Sequence, residues 1–124
     1  MNIELLREYC ISKPAVTENF PFDEDVLVFK VLGKMFALTS LKGWEAGTPS
    51  VNLKCDPDKA EELRGEYESI KPGFHMSKKH WNTVELYHGE LPNTFIQELI
   101  DESYHLVIKG MTKKQKAELA NYQS

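Results

Sequence analysis

Between Val26 and Ser40 lie two runs rich in β-branched and aromatic residues, Val26 to Val31 and Met35 to Ser40, parted only by Leu32-Gly33-Lys34. So short a connection joins antiparallel neighbours, because a parallel pair needs a crossover of about a dozen residues, and Gly33 supplies the positive φ a tight turn requires. This stretch predicts a β-hairpin and commits the chain to an antiparallel sheet. Val51, Leu53 and Cys55, alternating with Asn52 and Lys54, have the period of a half-buried strand and predict a third member. After a turn at Pro72-Gly73, the alternation of Trp81, Thr83, Glu85 and Tyr87 with Asn82, Val84, Leu86 and His88 predicts a further strand over His80 to Tyr87.

Helices fill the intervals. Asn2 is placed to cap a first helix in which Ile3, Leu6 and Cys10 recur at helical spacing, ending before Pro14. Asp56-Pro57 starts a second, running to about Tyr67, with Asp58, Glu61 and Glu62 suiting the positive end of its dipole. A third begins near Pro92 and shows Ile96, Leu99, Ile100, Ser103 and Val107 on one face until Gly110 closes it. Thr112 and Gln115 have the spacing of a capping box for a short last helix. Ala15 to Phe22 is irregular, Asp23-Glu24-Asp25 reads as a solvated loop tip, and Lys42 to Ser50 is rich in turn residues. The fold class expected is α+β, one antiparallel sheet packed against helices, in a single domain spanning residues 1–124.

Composition narrows the function classes. A chain of 124 residues buries about two-thirds of the surface it exposes when unfolded. With 41% hydrophobic and 27% charged residues it is neither disordered nor collagenous. No apolar run approaches the roughly 20 residues that cross a bilayer, and MNIELLREYC lacks the form of a signal peptide, so a cytoplasmic protein with no membrane association is expected. Cys10 and Cys55 lie far apart with no CxxC pair and no histidine at zinc-ligand spacing, and are expected to be buried free thiols.

Charge is unevenly spread. Residues 1–70 hold eight bases and thirteen acids, residues 71–124 seven bases and six acids. From Lys71 to Trp81, KPGFHMSKKHW carries three lysines, two histidines and two aromatics without one acid, and Lys109, Lys113, Lys114 and Lys116 surround the start of the last helix. Cations in the first turn of a helix oppose its dipole at a cost of roughly 0.3–1 kcal/mol each, which suggests a use other than helix stability. Phosphate contact is one use, with Phe74 and Trp81 stacking on bases; lysines decorating a soluble surface around core aromatics is the plainer one. His75 and His80 lack partners at metal-ligand spacing, Ser77 lacks a nucleophile-elbow context, and the glycines form no phosphate loop. No metal, cofactor or catalytic residue is expected, and no enzyme.

FPFDEDVLVFKVLGKMFAL, VNLKCDP, GFHMSKKHWNTV, ELIDESYHLV and GMTKKQK, in this order and almost end to end, resemble the MmcQ/YjbR family of small bacterial proteins. The resemblance implies a compact α+β domain of the CyaY-like or double-wing type, and a DNA-binding protein. Its motifs fall on His75, Met76, Lys78, Lys79, His80 and Trp81, then Asn82 and Thr83, with Thr112, Lys113 and Lys114 in the tail. CyaY-like folds also evoke iron binding on an acidic first helix, but here that helix offers only Glu4 and Glu8 beside Arg7, so iron is not expected. The expected nucleic-acid contacts are Lys71, His75, Lys78, Lys79, His80, Trp81, Lys113 and Lys114, brought together by folding. The alternative partner is an acidic protein meeting the same basic surface, and the chain is expected to be a monomer.

Overall fold

The computed structural model describes residues 1–123. Six strands, β1 Val16–Asn19, β2 Val26–Val31, β3 Lys34–Ser40, β4 Ser50–Lys54, β5 Ile70–Pro72 and β6 Trp81–Glu85, form one antiparallel sheet in the order β1-β2-β3-β4-β6-β5. The helices are α1 Ile3–Ile11, α2 Leu41–Glu45, α3 Pro57–Glu66, α4 Asn93–Lys109 and α5 Lys113–Gln123. The class is α+β, as the hairpin and the third alternating run require.

Local chemistry accounts for most boundaries. Asn2 caps α1 by accepting from Leu5 N, and Asp56 caps α3 by accepting from Asp58 N and Lys59 N. At α5, Gln115 N donates to Thr112 Oγ1 while Thr112 N donates to Gln115 Oε1, the reciprocal capping box. The hairpin turn is shorter than expected: Leu32 and Gly33 alone form it, at φ 47° and 80°, and Lys34 already lies in β3. With both residues left-handed, this two-residue turn matches the strands' twist.

Two expectations are corrected. Ala15 to Phe22 is not wholly irregular, since Val16–Asn19 is an edge strand paired with β2. It holds one strongly apolar residue, so no alternation betrays it; pairing and the ion pair of Glu18 with Arg7 hold it instead. The turn-rich stretch contains α2, whose cap is Ser40 accepting from Gly43 N.

All five helices pack on one face of the sheet. Leu6 and Cys10 of α1, Leu63 of α3, Ile96, Ile100 and Val107 of α4 and Leu119 of α5 join Leu27, Phe29, Val51, Leu53 and Val84 in one core, with Leu41 and Trp44 of α2 at its border. Cys10 and Cys55 are buried and free. One buried hydroxyl repairs the sheet. Lys30 pairs with Met35 and Phe29 with Ala37, so Phe36 is an extra, bulged residue. Ser103 of α4 donates to its carbonyl at 2.5 Å and accepts from Lys54 N at 2.9 Å.

Among the described residues, no helix covers the opposite face. Val28, Leu38 and Trp81 form a small second cluster there, flanked by Val26, Met35 and Met76. Among the described residues no helix is long and apolar enough to cross a membrane.

Candidate binding groove on the open sheet face

Strand register lays a row of side chains across the open face: Asn19, Val28, Leu38, Asn52, Thr83 and Lys71 are neighbours in turn across six strands. Its apolar half lies on β2 and β3, its polar half on β4, β6 and β5. Ser40 and Ser50 stand beside it at the ends of β3 and β4. Two loops far apart in sequence rise as walls, one before β2 and one between β5 and β6. Between them lies a groove of about 550 Å³. Val26, Leu38, Ser40, Ser50 and Asn52 line its floor, Phe22, Asp23 and Asp25 one wall, and Phe74, His75 and Met76 the other.

Both walls are fixed by hydrogen bonds to the sheet. Asp23 Oδ1 accepts from Asp25 N and Val26 N, folding the first loop on itself. Asp25 then accepts from Ser40 Oγ at 2.7 Å and Lys42 N at 2.8 Å. These two bonds, the hydroxyl first, hold its carboxyl below the ordinary aspartate range. On the second wall, Phe74 N donates to Thr83 Oγ1, which donates to Asn52 Oδ1, while Asn52 Nδ2 donates to Phe74 O. This ring pins the backbone of Phe74 and leaves its side chain 66% exposed, facing solvent like Phe22 at 65%. His75 follows at φ 59°, a left-handed conformation, with its ring 4.0 Å from that of Phe74.

Glycine is required at the root of this wall. A Cβ on Gly73 would stand 2.8 Å from Trp81 Cβ and 2.9 Å from Trp81 O, to which Gly73 N donates. Arg64 of α3 fastens the loop's other end, donating to Lys78 O, to Trp81 O and to Asn82 Oδ1.

The residues expected from sequence to contact nucleic acid are divided by this geometry. His75 lines the groove. Trp81 does not offer its ring: it is only 9% exposed, packed with Val28 and Leu38 beneath the open face. Its stacking role is therefore corrected to that of a core residue. Lys71 is paired with Glu85 at 2.6 Å, and Glu85 also meets His88. Burial alone would raise the Glu85 carboxyl, but its hydrogen bonds from Lys71 and His88 prevail and lower it, while the same contact with Glu85 raises Lys71. Lys78 Nζ donates to Gly73 O. Lys78 and Lys79 border a cleft that also contains Asp58 and Glu61 of α3, so acids are interspersed among these cations. His80 is exposed and gives its carbonyl to Cys55 N.

Lys113 and Lys114 are exposed on α5, which is anchored by Met111 and Leu119. The helix leading to it, α4, packs over β2, β3 and β4, whereas Lys71 lies in β5 at the sheet's far edge. The two cationic stretches rest on different supports. Sequence reasoning missed Phe22, placed at the end of an irregular stretch, Asp23 and Asp25, read as a solvated tip, and the floor residues Ser40, Ser50 and Asn52. The signal for the first group was Phe-Pro-Phe beside three acids, an exposed aromatic pair that core packing does not need. Among the described residues no group of three or more His, Cys, Asp or Glu gathers as a metal site.

Comparison with known proteins places the sequence and the fold in a wider set. A family model described as YjbR matches residues 11–106. The Escherichia coli O157:H7 protein named uncharacterized protein YbdF is 38% identical over 112 residues, 90% of this chain and 88% of that protein. YjbR of Escherichia coli K12, also named as uncharacterized, is 34% identical over 116 residues, 94% of this chain and 95% of its own length. The crystal structure of Deinococcus radiodurans DR2400, with the domain DUF419, superposes with a TM-score of 0.85 at 42% identity, over 96% of this chain and 88% of that one. A Pseudomonas syringae protein superposes with a TM-score of 0.72 at 29% identity, over 86% of this chain and 98% of that one.

Proposed function

The chain belongs to the YjbR family, and from the arrangement of its open sheet face we propose that it is a non-catalytic binding domain working through the groove between the 20–25 and 73–76 loops. One observation carries the reading: two walls from distant parts of the chain are each fixed to the sheet by hydrogen bonds, and both present a Phe about two-thirds exposed, 65% and 66%, over a floor of Val26 and Leu38 beside the polar Ser40, Ser50 and Asn52. Holding large aromatic rings in water is unfavourable by roughly 1.5–3 kcal/mol each relative to burying them, and a fixed wall cannot fold them away. A volume of about 550 Å³, lined by aromatic and aliphatic side chains interspersed with polar ones, suits a small ligand. The buried free thiols of Cys10 and Cys55 agree with a reducing compartment such as the cytoplasm.

DNA is the second reading. What supports it is that Lys79, Lys113, Lys114 and Lys116 are exposed and none takes part in an ion pair among the described residues. Contact with about four phosphates gives a log-log salt slope near −3.6, at roughly −0.9 per phosphate.

Two titrations on one set of variants separate the readings. A neutral fluorescent apolar probe, N-phenyl-1-naphthylamine, is expected to bind the wild-type protein and to be lost from the double variant Phe22→Ala, Phe74→Ala, while Lys78→Glu with Lys79→Glu leaves it in place. Duplex DNA followed by anisotropy is expected to show no affinity that the lysine variant removes. Probe binding indifferent to the two phenylalanines, with duplex binding that shows the steep salt slope and disappears in the lysine variant, overturns the groove and establishes the nucleic-acid reading.

A further inference from the structure

We infer that the groove takes a small organic cation, an ammonium carried on an aromatic or apolar body; this rests on the groove being the working surface and names what it selects. The lining contains two carboxylates, Asp23 and Asp25, and no lysine or arginine. Lys42 gives Asp25 a backbone N–H and its charge helps to lower that carboxyl, which leaves Asp23 the less compensated of the two, while Lys30 and Lys54 lie on β2 and β4 outside the lining. An anion entering the groove meets negative charge and few free donors, because the amide of Asn52 and the hydroxyls of Thr83 and Ser40 are already spent on fixing the walls. A cation meets the opposite: the carboxylate wall on one side and the exposed ring of Phe74 on the other, with Phe22 at the rim. Attraction to an aromatic face contributes about 0.5–1 kcal/mol at exposed sites, and a water-exposed carboxylate at contact distance about 1 kcal/mol.

The same geometry argues for a small molecule over an extended peptide. Of the floor strands, β3 and β4 are paired on both sides, and at the end of β2 that β1 does not reach, the N–H of Val26 is taken by Asp23 Oδ1, so the groove offers a peptide main chain little free edge. The N–H and carbonyl of Phe74 are likewise occupied. Recognition is left to side chains, which suits an apolar body resting on Leu38 and Met76 with its charged end toward Asp23.

The test compares three ligands of nearly one shape: phenethylammonium, neutral phenethyl alcohol and anionic 3-phenylpropionate, titrated at pH 7 while the Leu38, Met76, Phe22 and Phe74 resonances are followed by NMR. The cation is expected to bind about three- to tenfold tighter than the alcohol, and the carboxylate weakest, an effect equal to one or two partly screened charge contacts. Asp23→Asn keeps an oxygen to accept from Asp25 N and Val26 N but removes the charge, and is expected to bring the cation down to the alcohol. If that variant's spectrum shows the wall displaced, raising ionic strength in the wild-type protein replaces it, and the cation's advantage is expected to shrink while the alcohol is unaffected. Equal affinity of cation and alcohol, or an advantage indifferent to both Asp23→Asn and salt, overturns the inference and leaves the groove standing. Silence of all three at about 10 mM, a free energy below roughly 3 kcal/mol, overturns both.

Discussion

Replacing Gly73 with alanine should damage the fold and the groove together, although alanine is ordinarily the better residue for stability. The added Cβ lies 2.8 Å from Trp81 Cβ, 2.9 Å from Trp81 O and 3.1 Å from Trp81 C. Ordinary contact begins near 3.4 Å, so strands β5 and β6 must part by about 0.5 Å. Movement of that size stretches the 2.9 Å bond from Gly73 N to Trp81 O toward the limit of a hydrogen bond, at a cost of about 0.5–1.5 kcal/mol. Trp81 cannot yield instead without disturbing Val28 and Leu38, against which it is buried. Overpacking of this kind costs about 1–3 kcal/mol, against a gain of about 0.4–1 from the stiffer unfolded chain. The net loss of about 1–2 kcal/mol lowers Tm by roughly 3–10 °C for a domain of this size. Urea denaturation should show a lower midpoint at unchanged m, with the Phe74 and His75 resonances shifted in the remaining native protein. Gly65 supplies the opposite sign in the same experiment: it lies in α3 with nothing within 4 Å of its would-be Cβ, and Gly65→Ala should stabilise by about 0.8–1 kcal/mol. A Gly73→Ala protein as stable as the wild type refutes the close-approach reasoning.

Other consequences are independent of the groove. Ser103→Ala leaves Phe36 O and Lys54 N without the hydroxyl that joins them at the bulge, so the loss should be about 2–4 kcal/mol, well beyond a single exposed hydrogen bond; a midpoint within 0.5 kcal/mol of wild type by the same scale would mean water replaces it. Burial pushes the Cys10 thiol up to about 12. Its contribution is fully present below the unfolded thiol's value near 9 and is lost as pH rises through 12, on the order of 2–4 kcal/mol. Thermal melts between pH 8 and 11 should therefore fall more steeply for the wild type than for Cys10→Ala; parallel curves would show that the thiol does not ionise on unfolding. Tyr9, raised to about 12 by burial and its hydrogen bond to Asp101, adds to the alkaline fall in both proteins.

The sheet was legible where its residues alternate. Val51, Leu53 and Cys55 turn their side chains into the helix-covered core, and the Val26 to Ser40 hairpin closes on the left-handed pair Leu32 and Gly33. Capping residues Asn2, Asp56 and Thr112 announced α1, α3 and α5 because their chemistry acts within four residues. β1 was hidden because an edge strand with little apolar content owes its form to its neighbour. The site was half legible for a similar reason. The stretch from Phe74 to Trp81 stands out by composition, but composition does not say which side chains turn inward: His75 lines the groove, Lys78 caps Gly73 O, and Trp81 joins the core. The opposite wall and the floor belong to residues about 20 to 60 positions away, joined only by strand register. The lysines of α5 matched the first cluster in charge, while their place was set by Leu119 and Met111 in the core.

A single labelled sample measures the central claim most directly. The methyl groups of Leu38 and Met76 report on the groove, one from its floor and one from its wall, and the amides of Lys78 and Lys79 on the cationic loop. Titrated in turn with N-phenyl-1-naphthylamine and with duplex DNA, the groove methyls are expected to move with the probe while the lysine amides stay fixed with the duplex. Lysine amides that shift with DNA over unresponsive groove methyls would contradict the assignment of the groove as the working surface.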